Sequence, residues 1–169
     1  MPPAPSIRIV MLGTGDFALP TLLELCDTGH DIVTLITQPD RPQGRKQELI
    51  PSAIKRAAVE RRIPVFQPED VNASESLETI HSLAPDLLVT AAYGQILSAD
   101  LLGIPRLGGI NLHGSILPAY RGAAPVARAI ANRRLNEYGA EVCAVSALRW
   151  INQRAKLAVC FTKPGRACW

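Results

Sequence analysis

The chain has 169 residues, 47% of them hydrophobic and 20% charged, with a formal net charge of +3. That length suits one globular domain of about 100–200 residues, and the apolar fraction excludes an intrinsically disordered chain. The longest apolar stretch, residues 87–104, is cut by Gln95 and Asp100 and falls short of the ~18 apolar residues of a membrane span, while residues 1–6 lack the order of a secretory signal.

Residues 7–12 form a short apolar run closed by Gly13, which predicts a strand. Thr14 or Asp16 is placed to cap a following helix, whose apolar positions Phe17, Leu19, Leu22, Leu23 and Leu25 recur at helical spacing, and Gly29 supplies its stop. A second strand is expected over residues 31–37. Residues 38–51 then read as an exposed loop, with three prolines, one glycine and three basic residues. Residues 52–62 alternate apolar and basic positions at helical period, residues 64–66 suit a short strand, and residues 74–83 a third helix. Residues 86–92 are almost wholly apolar, as in a strand buried on both faces, and residues 108–112 read as another. Strands alternating with helices imply an α/β protein with a doubly wound, Rossmann-like parallel sheet. Ligands of such sheets bind beyond the carboxyl ends of the strands, where strand order reverses. That rule selects residues 13–16, 38–46, 93–97 and the segment from Asn111 onward.

Two signals compete at those strand ends. Gly13-Thr-Gly15-Asp-Phe-Ala18 fits the G-x-G-x-x-A form of the dinucleotide fingerprint and, taken alone, suggests an NAD-binding oxidoreductase. The acidic residue expected ~20 positions later to hold a ribose hydroxyl is missing, because the second strand ends in Thr37-Gln38. The same glycines also suit a tight turn that lets helix and sheet approach closely. The second signal is Asn111-Leu-His113-Gly-Ser115-Ile116-Leu117-Pro118-Ala-Tyr-Arg121-Gly122-Ala-Ala-Pro125. Side chains alternate along a strand, so Asn111 and His113 point the same way and can face one ligand.

This segment resembles the folate-dependent formyltransferases, whose signature reads Asn-x-His-x-Ser-Leu-Leu-Pro-x-x-Arg-Gly-x-x-Pro, with Ile116 replacing one leucine. Gly13-Thr-Gly15-Asp-Phe17, the loop Gln38-Pro-Asp-Arg-Pro-Gln-Gly-Arg45, Val65-Phe-Gln-Pro68 and Ala92-Tyr-Gly94 are similar to the branch of the family that formylates methionyl initiator tRNA. The resemblance covers residues 7–132. It implies formyl transfer from 10-formyltetrahydrofolate, a co-substrate, to the amino group of that tRNA, without a metal. By the same resemblance, Asn111 donates its side-chain amide to the formyl oxygen, and His113 stabilises the oxyanion and serves as general acid, its protonation fixed by an aspartate. Ser115, Ile116, Leu117 and Pro118 correspond to the folate-contacting loop, with Tyr93, Gly94 and Leu97 lining its other side, while Arg121 and Gly122 shape the loop. Arg45, flanked by Arg41 and Lys46, corresponds to the tRNA-contacting position, although a solvated charged turn is the simpler reading of those three charges.

After residue 132 the resemblance decays. Residues 1–130 carry 11 Lys and Arg against 13 Asp and Glu, whereas residues 131–169 carry 7 against 2, together with three of the four cysteines and both tryptophans. The cysteines, at positions 26, 143, 160 and 168, have no short paired spacing, so reduced thiols are expected rather than a zinc site or a disulfide framework. The family's aspartate would fall near Arg149, and no aspartate follows Asp100. The expectation is a catalytic domain over residues 1–132 and a divergent basic tail over residues 133–169, from truncation or a frame shift, without the family's C-terminal tRNA-binding β-barrel. The sheet should be incomplete at its C-terminal edge, although residues 141–148 and 156–162 can form strands. A cytoplasmic monomer with no membrane partner is expected. A formyltransferase acting on a nucleotide or nucleotide-sugar amine, and a folate- or tRNA-binding fragment without turnover, remain open alternatives.

Overall fold

The computed structural model describes residues 6–43, 48–112 and 160–162. The chain runs β1 (Arg8–Gly13), α1 (Leu19–Asp27), β2 (Asp31–Ile36), β3 (Pro42–Gln43), β4 (Glu48–Leu49), α2 (Ala53–Glu60), β5 (Val65–Phe66), α3 (Ser74–Ser82), β6 (Leu87–Ala91), α4 (Ala99–Gly103), β7 (Gly109–Leu112) and β8 (Cys160–Thr162). The main sheet has the order β5-β2-β1-β6-β7-β8. Its first five strands pair in parallel, and β8 borders β7 in antiparallel register, with Gly109 opposite Thr162 and Asn111 opposite Cys160. Of the two tail segments expected to be able to form strands, residues 160–162 do so, and residues 141–148 lie outside the described residues.

The apolar strands owe their composition to burial on two faces. Ile9, Met11, Val89, Ala91, Ile110 and Leu112 point to one side, where Leu22 and Leu25 of α1 and Ile54, Ala57 and Ala58 of α2 close the first core. Val10, Leu12, Ile36 and Leu88 point to the other, against Ile80 of α3 and Leu101 and Leu102 of α4. Helices thus cover both faces of the sheet, as the alternation of elements implies.

Three expectations need correction. Neither Thr14 nor Asp16 caps α1: its N-cap is Ala18, which makes no side-chain capping bond. Packing outweighs capping there, because Ala18 is fully buried and a Cβ added to Gly13 would lie 2.6 Å from the Ala18 Cβ and 3.1 Å from the Ala91 carbonyl oxygen. The expected loop 38–51 contains a small antiparallel pair, β3 with β4, too short for alternation to reveal. Helix α4 was not anticipated, because its five residues continue an apolar run and cannot establish a period; Ser98 Oγ caps it by accepting from Leu101 N at 3.2 Å. Elsewhere the local chemistry matches the sequence. Ser52 caps α2 through Lys55 N, and α1 ends at Thr28 with Gly29 following at φ +75°.

At the amino-terminal edge of the sheet, charged side chains tie the strands together. The Arg8 guanidinium meets Asp31 Oδ2 at 3.1 Å and donates to the Leu83 carbonyl, while Asp86 accepts from Arg8 N at 2.8 Å and from Arg106 Nε at 2.6 Å. The Arg8 amide and then the Arg106 guanidinium hold the Asp86 carboxyl below the usual carboxylate range.

Replacing Gly13 with Ala should destabilise the fold by about 1–3 kcal/mol, the usual cost of overpacking, and lower the urea midpoint. Asp86 has a second consequence. Its folded pKa lies below its unfolded value, so its contribution is fully present above the ordinary Asp pKa of ~3.9 and is lost as pH falls through the depressed value. The difference in urea midpoint between the wild type and Asp86→Asn should therefore be constant near neutrality and shrink below about pH 4.

Candidate functional site at the strand-order reversal

From β1 the chain passes outward to β2 and β5, then returns to β6 on the opposite side of β1, so strand order reverses between β1 and β6. Connections leave the sheet on opposite sides there and open a crevice at the carboxyl ends. Thr14 is the first residue beyond β1 and occupies this point. Its hydroxyl donates to the Tyr93 carbonyl at 3.2 Å, accepts from the Gln38 amide N–H at 3.2 Å, and lies 3.3 Å from the Thr37 hydroxyl. With the Thr14 proton committed to Tyr93, Thr37 donates in the last of these contacts. One side chain thereby joins the ends of β1, β2 and β6.

The Tyr93 carbonyl accepts a second bond, from Gln38 Nε2 at 3.2 Å. The turn that carries it has two left-handed residues, Ala92 at φ 46° and Gly94 at φ 93°. An alanine there costs on the order of 1 kcal/mol, so the turn persists because its surroundings over-determine it. Tyr93 is 2% exposed and packs in the second core. Its hydroxyl has no partner among the described residues, and burial, with Asp70 adding to it, pushes its pKa up to about 12. Tyr93 therefore brings its main chain, not its ring, to the strand ends. Leu97 is likewise buried in the second core, whereas Ile96 between them is 72% exposed. Two side chains fasten this turn to residues 69–72. Gln95 donates to Glu69 O at 3.0 Å and accepts from Val71 N at 2.9 Å, while Asn72 donates to Ile96 O and accepts from Ser98 N, both at 2.8 Å.

Asn111 stands in β7 opposite Thr90 of β6 and is half-buried. Its neighbours Ile110 and Leu112 both enter the first core, so alternation turns Asn111 toward the other face of the sheet. His113, Ser115, Ile116, Leu117, Pro118, Arg45 and Lys46 lie outside the described residues. Arg41 is exposed immediately before β3.

Behind the loop that carries Arg41, Asp40 forms an ion pair with Lys55 of α2 and accepts from Gln67 Nε2 at 3.2 Å. Lys55 Nζ also donates to Gln67 Oε1 at 2.6 Å, and Gln67 Nε2 donates to the Gln38 carbonyl at 2.9 Å. The Lys55 ammonium holds the Asp40 carboxyl below its ordinary range against the opposing effect of burial, and Gln67 adds a smaller lowering. The strand-end rule selects Thr14 and Gln38 without showing their bonds, and Gln67 lies in the motif Val65-Phe-Gln-Pro68, whereas nothing in the sequence singles out Lys55. Among the described residues no group of three or more His, Cys, Asp or Glu could hold a metal ion, and no helix is long and apolar enough to cross a membrane.

A family profile described as formyl transferase matches residues 7–146. The chain belongs to the formyl transferase family. It is 51% identical over 128 residues to a methionyl-tRNA formyltransferase of Methylacidiphilum infernorum, covering 75% of this chain and 40% of that one. Over 119 residues it is 53% identical to the enzyme of the same name from Listeria monocytogenes, covering 70% and 38%. The chain thus spans about two fifths of the length of these curated relatives. Among solved structures, phosphoribosylglycinamide formyltransferase of Bacillus halodurans shares the fold at 19% identity and a TM-score of 0.58, over 74% of this chain and 65% of that one. A formyltetrahydrofolate deformylase of Pseudomonas syringae is 26% identical with a TM-score of 0.55, over 76% and 43%. Within this formyl transferase fold Gly13 serves close packing of α1 against the sheet, and Gly15, at φ +75°, serves the turn.

Thr14→Val keeps the shape of the side chain and removes the hydroxyl that serves three strand ends. It should cost about 1–3 kcal/mol, because buried groups lose their partner, while Thr14→Ser should restore most of the stability in the same urea titration.

Proposed function

We propose that this chain transfers the formyl group of 10-formyltetrahydrofolate to the amino group of methionyl initiator tRNA, acting in the cytoplasm as a monomer. The observation that carries the reading is the position of Asn111 at the carboxyl end of β7, beside the strand-order reversal and two residues before His113, in a chain of the formyl transferase family. The tRNA acceptor is supported by relatives about half identical to this chain that bear the name methionyl-tRNA formyltransferase.

The residues suit a folate. A flat pterin with several donors and acceptors is matched by main-chain groups at strand ends, and the turn of Tyr93, Gly94 and Leu97 offers such groups on one side of the crevice. Ser115, Ile116, Leu117 and Pro118 are assigned to the other side. The bound co-substrate supplies an activated formyl carbon. The acceptor nitrogen bonds to that carbon, the bond to the folate nitrogen breaks, and one proton passes from the acceptor amine to the folate nitrogen. Asn111 donates its amide to the formyl oxygen as negative charge gathers there, and His113 moves the proton. Arg45, with Arg41 and Lys46 beside it, contacts the acceptor-stem phosphates. Residues 101–169 contain no aspartate, and position 149 is an arginine, so the partner that fixes the His113 protonation is not assigned to any residue.

The purified chain, given 10-formyltetrahydrofolate and either methionyl initiator tRNA or phosphoribosylglycinamide, should formylate the tRNA alone, at a severely reduced rate for want of the aspartate that fixes the His113 protonation. Asn111→Ala should lower kcat by about 10²–10³, as for one preorganised donor to an oxyanion. Arg45→Ala should raise the acceptor KM and make its dependence on salt shallower by about one phosphate contact. Transfer to the small amine would overturn the acceptor assignment. Folate binding without transfer would instead identify a binding fragment.

A further inference from the structure

The small pair β3–β4 is separate from the main sheet and lies between two stems, and side chains of helix α2 bond to both. On the incoming stem, Lys55 binds Asp40 and Gln67, and Gln67 returns a bond to the Gln38 carbonyl at 2.9 Å. On the outgoing stem, the neighbouring Arg56 donates to the Pro51 carbonyl at 2.7 Å, and Ser52 caps the helix itself. Each polar side-chain atom on the incoming side has a partner. Both Asp40 oxygens, both polar atoms of the Gln67 amide and the Lys55 ammonium are engaged in one cluster. The pair is mostly withdrawn from water, with side-chain exposures of 23% for Lys55 and 21% for Asp40. An ion pair withdrawn from water returns little net stability, because desolvation offsets the Coulomb gain, and its value lies in selecting one geometry.

The cluster does not end at the loop. Gln38, whose carbonyl it holds, donates its side-chain amide to the Tyr93 carbonyl and its backbone N–H to Thr14. The connection therefore runs from α2 through Asp40, Gln67 and Gln38 to the strained turn at Ala92, Tyr93 and Gly94.

We propose that Lys55 is a positioning residue that holds the stem of the acceptor-side loop, residues 38–43, in register with the donor-side turn, residues 93–97, so that amine and formyl carbon are presented to each other in one fixed geometry. This rests on the function proposed above. It goes beyond that function in making the two substrate sites one hydrogen-bonded unit, with Gln38 and Gln67 as the links. Lys55 touches neither substrate. Its contribution is to alignment, where a displacement of ~1 Å at a distance can cost ~10²-fold in rate.

The test uses the full chain, with Lys55→Met to remove the ammonium at similar length and Gln38→Leu to cut the link to Tyr93 while leaving the ion pair intact. Steady-state formyl transfer should show kcat/KM for methionyl initiator tRNA falling by at least about tenfold in both variants, with the 10-formyltetrahydrofolate KM within about twofold of wild type, the pattern of lost alignment rather than lost donor binding. Amide hydrogen exchange is read in parallel. Lys55→Met should speed exchange not only in residues 38–43 but also in residues 93–97, while the amides of β1 and β6 keep their protection. A variant that lowers Tm yet leaves the acceptor kcat/KM unchanged would reduce Lys55 to a structural role and overturn the proposal. So would unchanged exchange at residues 93–97. If the wild type transfers no formyl group to the tRNA, the proposed function fails by itself, and the exchange measurement still decides whether loop and turn are coupled.

Discussion

The reversal of strand order between β1 and β6 is the constraint on which the rest of this molecule depends. It leaves the carboxyl ends of two adjacent strands without a covering connection, and the backbone groups exposed there must find partners in side chains or in a ligand. Thr14 answers most of that need with one hydroxyl shared among the ends of β1, β2 and β6. Because it is short and β-branched, its oxygen is held close to the main chain with few rotamers to choose from. The turn at Tyr93 can then carry two left-handed residues, one of them an alanine, and present its carbonyl instead of its ring.

The two edges of the sheet illustrate a division of labour. At the amino-terminal edge, charges pair across strands in the open: Arg8 with Asp31, Arg106 with Asp86. Such exposed pairs contribute little individually, although the backbone bond from Arg8 to Asp86 gives that carboxylate a fixed place. At the carboxyl-terminal edge the polar groups are more sheltered and linked to one another, from Asp40 and Lys55 through Gln67 and Gln38 to Tyr93. A sheltered network in which each polar atom has a partner specifies geometry more than it adds stability.

Membership of the formyl transferase family follows from a match over residues 7–146, and that match coincides with the part of the chain whose folding is plainest from physical chemistry. Both cores are built on β1, β2 and β6 with the helices around them, and β7 adds to the first, all within residues 7–112. The glycine motif that invites a dinucleotide reading is accounted for by packing. No side chain fits at Gly13 between Ala18, Ala91 and Met11. A motif of spaced glycines thus reports a close approach of helix and sheet before it reports a ligand.

From sequence alone came the alternation of strands and helices, the doubly buried character of β6, the Gly29 stop and the likeness around Asn111 and His113. All of these are local: they depend on periodicity, on the conformational range of single residues, or on contiguous motifs. Tertiary structure alone decided that Thr14 abandons the helix for three strand ends, that Tyr93 offers its carbonyl while its ring is buried, and that Lys55, Gln67 and Gln38 form one chain of bonds behind the loop. Those partners lie 12 to 79 residues apart in sequence, and no periodicity relates them. A polar side chain next to a turn has many possible partners, and only the packing of five parallel strands brings one set within hydrogen-bond reach.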